Sequence, residues 1–185
     1  MAKVTVWLTS YNHGIHLRES IESVLNQTYR DYELYIVDDC STDDSKAIIE
    51  KYQKTNKRIK TIFHEKNIGE SGLKWEIEHL RGEYIAILHG DDKWKDTKLE
   101  KQVKFMKAHN CGFSCASYEV IDDKGRALNK EVHMLPSVDY VGFLTNNLLQ
   151  TVGIMVDTSI IDKKYLVMPD IRRRQDAATW LQVLK

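Results

Sequence analysis

Residues 84–96 read YIAILHGDDKWKD: an apolar run that stops at Gly90 and two adjacent carboxylates, Asp91 and Asp92, with Trp94 two residues further on. An apolar run of this length, closed by a turn signal, fits a strand buried on both faces, as in a parallel sheet. The same punctuation occurs twice upstream. Residues 4–9 (VTVWLT) run into Ser10, Tyr11 and Asn12, and residues 32–38 (YELYIVD) run into Asp39 and a second acidic pair, Asp43 and Asp44.

Between these runs the period changes to that of helices. Residues 16–28 place Leu17, Ile21, Val24 and Leu25 on one face. Residues 41–54 open with Ser41 or Thr42 as N-cap and acids in the first turn, which suits a helix start. A third strand is predicted over 58–64, a third helix over 71–81 and a fourth strand over 83–89. The resulting βαβαβαβ order, with short loops, predicts an α/β fold: a Rossmann-like domain whose mixed, mostly parallel central sheet is flanked by helices. Beyond Asp92 the pattern predicts a helix over 96–109, a strand over 112–122 followed by a turn at DDKG, a strand over 151–159 and a helix over 172–185.

Composition narrows the function. The 185 residues suit one domain over 1–185, and only two prolines and no Ser/Gly-rich linker interrupt it. The 27 basic and 27 acidic side chains cancel, so charge favours no nucleic-acid partner. No stretch approaches the roughly 20 apolar residues that span a bilayer. Cys40, Cys111 and Cys115 form no even disulfide framework, and no apolar signal core follows the N-terminus, which together point to a reducing compartment. Cys111 and Cys115 lack a second ligand pair for zinc and read as two buried thiols.

In open α/β sheets, ligands bind outside the carboxyl ends of the strands, near a reversal of strand order. The clusters TSYN, DDCSTDD and HGDD would share that rim. Asp38, Asp39, Asp91 and Asp92 would repel one another there unless a cation or a set of donors compensates them. Oxygen ligands favour Mg²⁺ or Mn²⁺, whose coordination is commonly completed by substrate phosphates. The combination predicts a phosphate-bearing substrate carried by a metal. Plainer readings stand beside it. Taken alone, DDCSTDD reads as a turn or cap, His89 as a strand-end histidine, and Trp75, Trp94 and Trp180 as core or boundary packing. At HGDDKW, Gly90 permits close backbone approach and Trp94 is a costly residue for a plain turn.

Along nearly all its length the chain resembles the family 2 glycosyltransferases. The blocks TSYNHGIHLRESIESVLNQTYRDYELYIVDDCSTDDS and EKNIGESGLKWEIEHLRGEYIAILHGDDKW carry the resemblance, with Asn67, Gly69 and Gly82 in place. It implies the GT-A fold and inverting transfer of a sugar from a nucleotide-sugar donor, of UDP by family habit, to a glycan, lipid-linked or other hydroxyl acceptor. By resemblance Thr9, Tyr11 and Asp39 hold the nucleotide base, with Ser10, Asp38 and Gly90 beside them. HGDD stands where the family has its Asp-x-Asp metal motif, so Asp91 binds Mn²⁺ or Mg²⁺ with Asp92 and His89, although His89 replaces the family's first acid. Leu73 and Lys74 stand where the family often has Arg and Asn. Asp176 in RRRQDAATW is the implied general base, with Gln175 in place of the usual Glu; by position alone it is also an ordinary acid of a helix's first turn. Arg172, Arg173 and Arg174 either meet phosphates or cover a solvated face.

The resemblance divides the chain into a nucleotide-binding half, 1–95, and an acceptor-side half, 96–185, which it implies is truncated. It places the protein in bacterial polysaccharide assembly, in the cytoplasm or peripherally at the inner face of the membrane. Two other enzyme-like readings fit less well. A receiver-type phosphoacceptor needs its acidic pair after the first strand, and a nucleotidyltransferase needs a glycine-rich phosphate loop where TSYNHG has a single glycine. A domain of the same fold that binds nucleotide sugar without turnover is the alternative that His89 suggests.

Overall fold

The computed structural model describes residues 3–69, 72–145, 149–171 and 173–185. Its strands are β1 (Val4–Ser10), β2 (Tyr32–Asp38), β3 (Ile59–Phe63), β4 (Tyr84–His89), β5 (Phe113–Cys115), β6 (Tyr118–Ile121), β7 (Ala127–Val132) and β8 (Ile154–Asp157). The helices are α1 (Gly14–Leu25), α2 (Ser45–Thr55), α3 (Lys74–His79), α4 (Lys98–His109), α5 (Tyr140–Thr145) and α6 (Gln175–Val183). Six strands form one sheet in the order β3-β2-β1-β4-β8-β5, and β6 and β7 pair separately. β1 to β4 are mutually parallel, whereas β8 runs antiparallel to both β4 and β5.

Strand alternation sorts the side chains into two cores. Val4, Val6, Leu8, Leu34, Ile36, Ala86 and Leu88 face a core completed by Leu17 and Ile21 of α1, Ile48 and Ile49 of α2, and Leu99 and Val103 of α4. Trp7, Val37, Ile85 and Ile87 face the other, completed by Ile77 of α3, Phe143 of α5 and Trp180 of α6. The central strands are mostly apolar because helices cover both faces. Trp94 belongs to the first core and Trp180 to the second, while Trp75 is exposed and stacks on His79.

The first half follows the predicted order, and the second departs from it. The single strand expected over 112–122 is two: β5 joins the main sheet, and β6 leaves it to form a hairpin with β7. β7 and α5 were not predicted, since β7 is exposed along nearly its whole length and presents no apolar stripe. The strand expected over 151–159 opens as a 3-10 turn at Thr151–Gly153. The third helix is shorter than expected, and Ser71 of its predicted start lies outside the described residues. Neither Ser41 nor Thr42 caps α2, which begins at Ser45, because Ser41 bonds Asp38 and Thr42 bonds Asn12 instead. Cys111 and Cys115 are half-buried free thiols packed against opposite cores, an arrangement unsuited to joint zinc ligation.

Lys98 opens α4 with its Nζ buried, without a hydrogen-bond partner among the described residues, 3.7 Å from the centre of the Trp94 ring. Burial pushes its ammonium down to about 7, against which the ring face offers some return. From about pH 7 to 10.5 the unfolded chain holds a proton that the folded chain has lost, so this residue's contribution to stability rises with pH across that window. Replacing Lys98 by Met should raise the thermal midpoint at pH 6.5 by about 4 °C or more. The difference from wild type should shrink towards pH 9.5, as followed by circular dichroism.

Candidate active site

The chain places β2 and β3 on one side of β1 and then returns to pair β4 on the other side. This reversal opens a crevice at the carboxyl ends of β1 and β4. Register brings Thr9 opposite His89 and Ser10 opposite Asp38, and the Gly90 N–H extends the ladder to the Thr9 carbonyl at 2.9 Å. The Thr9 hydroxyl lies 2.9 Å from His89 Nδ1. Ser10 is buried with its hydroxyl unpartnered among the described residues, while Tyr11 stands out into solvent at 46 % exposure.

The loops after β1 and β2 lock together through their acids. Asp38 accepts from the Ser41 N–H at 3.0 Å and hydroxyl at 2.6 Å. Asp43 accepts from the Gly14 N–H at 2.9 Å and the Ser45 N–H at 3.0 Å, so one carboxylate serves the first turns of both α1 and α2. Burial would raise the Asp43 carboxyl, but these bonds outweigh it and hold it below the usual range. Gly14 permits the approach, since a Cβ there would lie 1.9 Å from Asp44 Oδ1.

Asp39 is clamped from the far side. Its Oδ1 accepts from the Ile68 N–H and pairs with His64 Nδ1, each at 2.9 Å, and its Oδ2 accepts from the Gly69 N–H at 2.9 Å. Asn67 donates to the Asp39 carbonyl. An ionised carboxylate offers about four acceptor positions, so this clamp leaves capacity for one further donor.

Asp91 and Asp92 differ from these three. Neither carboxylate accepts a hydrogen bond among the described residues. Asp91 is exposed, and Asp92 is pushed above the usual carboxylate range by burial and then by the charge of Asp91. The backbone under them is nonetheless fixed. Ser20 donates to the Gly90 carbonyl at 2.8 Å, and His13 packs so closely that a Cβ at Gly90 would lie 2.7 Å from its Nδ1. Farther on, Trp94 Nε1 donates to the Val152 carbonyl, and the buried Gln27 joins the Lys95 carbonyl to the Leu99 N–H. A cleft of about 340 Å³ opens beside the pair, between the start of α1 and the β6–β7 turn at Asp122.

No group of three or more His, Cys, Asp or Glu side chains among the described residues could hold a metal by itself. Two carboxylates that accept no hydrogen bond among the described residues, on a fixed turn, do fit an ion of the Mg²⁺ or Mn²⁺ class that takes its remaining ligands from substrate phosphates and water. Asp176 lies in the first turn of α6, half-buried and without a hydrogen bond or ion pair among the described residues, one turn before the buried Trp180. Arg173 and Arg174 are exposed, and Arg172 lies outside the described residues. His64 is not legible as a site residue in the sequence, because its partners Asp39 and Glu76 stand 25 and 12 residues away along the chain.

A doubly covered, mostly parallel sheet with an acidic rim at its reversal point is the architecture of the GT-A sugar-nucleotide transferases. The model of glycosyl transferase family 2 matches residues 5–166, and the chain belongs to that family. It is 38 % identical over 183 residues to the "Putative teichuronic acid biosynthesis glycosyltransferase TuaG" of Bacillus subtilis (strain 168), covering 98 % of this chain and 72 % of that protein. It is 31 % identical to the Escherichia coli UDP-Glc:alpha-D-GlcNAc-diphosphoundecaprenol beta-1,3-glucosyltransferase WfgD, covering 98 % and 70 %. In fold it matches S. aureus TarS 1-349 in complex with UDP-GlcNAc, with a TM-score of 0.79 at 20 % identity over 97 % of this chain and 53 % of that one. A mannosyltransferase of Pyrobaculum calidifontis in complex with GDP-Man and Mn2+ matches with a TM-score of 0.70 at 17 % identity, over 96 % and 50 %. The chain thus spans about half the length of these two solved structures.

If Asp39 holds the 67–69 loop as described, Asp39→Ala should speed amide hydrogen exchange at Ile68 and Gly69 by about tenfold, the equivalent of one hydrogen bond to a charged group. Amides within β1 should be unaffected, as read by NMR or mass spectrometry.

Proposed function

We propose that this chain is an inverting glycosyltransferase that moves a sugar from a nucleotide-diphosphate sugar, UDP-linked, to a hydroxyl acceptor in bacterial glycan assembly. The observation that carries the reading is the unequal treatment of the rim acids. Asp38, Asp39 and Asp43 are satisfied internally, whereas Asp91 and Asp92 are left without donors on an anchored turn. A pair held this way is completed by a cation and the diphosphate it carries.

Asp91, with Asp92 and His89 beside it, would hold the metal, and Thr9, Ser10, Tyr11, Asp38, Asp39 and Gly90 would form the nucleotide site. The spare acceptor position of Asp39 suits an N–H on the edge of a base, and the exposed ring of Tyr11 offers a stacking face. The bound metal would supply positive charge against the leaving diphosphate. Asp176 would act as general base. As the acceptor oxygen bonds to the anomeric carbon, its proton passes to the Asp176 carboxylate, and the bond from that carbon to the diphosphate oxygen breaks on the opposite face. The UDP in the TarS complex and the UDP-Glc and undecaprenol-linked acceptor in the name of WfgD support a UDP donor and a lipid-linked acceptor. The beta-1,3 linkage in that name is what inversion of an alpha-linked nucleotide sugar would leave. A lipid-linked acceptor would bring the chain to a membrane surface as a peripheral protein. No helix among the described residues is long and apolar enough to cross one.

The deciding experiment is calorimetric titration of UDP with Mn²⁺, with EDTA, and with the Asp91→Ala variant in Mn²⁺. Binding that needs both metal and Asp91 supports the reading, and equal binding in all three arms overturns the metal assignment. Asp176→Asn should keep UDP affinity within about twofold of wild type while transfer falls by about 10² to 10⁴. The second reading, binding without turnover, draws on His89 at the motif's first position, held against Thr9. It predicts UDP-sugar binding with no UDP release whatever acceptor is supplied.

A further inference from the structure

His64, at the end of β3, has a carboxylate at each ring nitrogen: Asp39 Oδ1 lies 2.9 Å from Nδ1, and Glu76 Oε1 of α3 lies 2.8 Å from Nε2. Ionised carboxylates only accept hydrogen bonds, so both nitrogens must carry hydrogen and the ring sits as an imidazolium. Glu76 is 4 % exposed, and its Oε2 has no hydrogen-bond partner, so the imidazolium is its one compensating charge among the described residues. The His64 side chain is 12 % exposed and lines an open cleft of about 590 Å³, through which solvent protons reach it.

We infer that His64 and Glu76 are positioning residues for the donor nucleotide, with His64 holding Asp39 in its base-reading orientation only while it carries its proton. The inference rests on the nucleotide-site reading of Asp39 given above. When the ring is neutral, one nitrogen becomes an acceptor facing a carboxylate. Either Asp39 loses its side-chain partner or Glu76 is left as a buried, unpaired charge at the start of α3. Both outcomes weaken the hold on residues 67–69, which supply the Ile68 and Gly69 N–H groups to Asp39.

The charged surroundings are few. Burial acts to lower His64, but the hydrogen bonds to Asp39 and Glu76 outweigh it and raise its pKa above 6.5. Tyr35 of β2 lies within the influence of Glu76 and is itself raised, by burial first, so it stays neutral near pH 7. Glu65 and Lys66 are exposed, and Lys46 of α2 sits over the Phe63 ring. A raised folded-state value means that the stabilisation is complete below pH 6.5 and is lost as pH rises through the folded value. Donor binding should weaken in the same direction.

The test is calorimetric titration of UDP with Mg²⁺ between about pH 6.0 and 8.5, using wild type, His64→Gln and Glu76→Gln. The ratio of wild-type to His64→Gln affinity cancels the titration of the diphosphate itself. That ratio should be about fivefold or more at pH 6.5 and fall towards one by pH 8.5. In Glu76→Gln the fall should occur at lower pH, because one of the two charges that raise His64 is gone. A ratio that does not vary with pH, or a midpoint unmoved by Glu76→Gln, overturns the inference and leaves the nucleotide site intact. Failure of wild type to bind UDP or any other nucleoside diphosphate at every pH overturns the nucleotide reading and this one with it. If His64→Gln does not fold, the shift in midpoint between wild type and Glu76→Gln carries the test alone.

Discussion

Parallel strands that end side by side deliver their terminal acids to one edge of the sheet, and the mutual repulsion of those acids is the constraint on which the site's architecture depends. Five carboxylates meet it in three ways. Asp38 and Asp43 are absorbed into turns and helix starts, where N–H groups without intrahelical partners need acceptors. Asp39 is spread over two backbone N–H groups and a histidine. Asp91 and Asp92 accept no hydrogen bond in the described chain, and the charge of His89 only partly offsets the burial and repulsion that act on Asp92. The same feature explains why the turn beneath them is so heavily anchored. Ser20, Gln27 and Trp94 hold its backbone from three directions, so relaxation of the turn does not relieve the repulsion.

Legibility in the sequence followed the type of element. Strands covered on both faces announce themselves as apolar runs, and their closing acids mark the rim, so β1 to β4, the switch point and the acidic clusters could all be read directly. The plain reading of Ser41 as a helix cap failed because a hydroxyl three residues after Asp38 has a nearer and charged acceptor. The strand at 112–122 could not be seen to break. Both of its halves pair, but with different partners, and sequence periodicity does not name partners. β7 alternates nothing apolar, since both its faces meet solvent. His64 and Glu76 sit 25 and 37 residues from Asp39, at no spacing that marks a motif.

The two covered faces carry different duties. The α1, α2 and α4 face holds the backbone of the acidic turns through Ser20, Gln27 and the ring of Trp94. The α3, α5 and α6 face carries Glu76 and Asp176, the side chains assigned to tuning and to proton transfer. In the proposed reading, metal attachment and proton chemistry would be supported by separate packing units on either side of one sheet. The units share β1, β2 and β4, which alternate side chains between the two cores, as Leu8 faces one and Trp7 the other.

The position of β8 has a consequence for how the molecule is made. β4 and β5 both lie against β8 and not against each other, so neither completes its pairing until Ile154–Asp157 has been synthesised. At about 5–20 residues per second, the 64 residues between His89 and Ile154 take roughly 3–13 s to emerge from the ribosome. Through that interval the nascent chain displays an apolar edge, Tyr84 to Ala86, beside a nearly finished parallel sheet. That edge is a template for pairing with another chain, which makes the growing polypeptide most vulnerable to association just before its last central strand arrives.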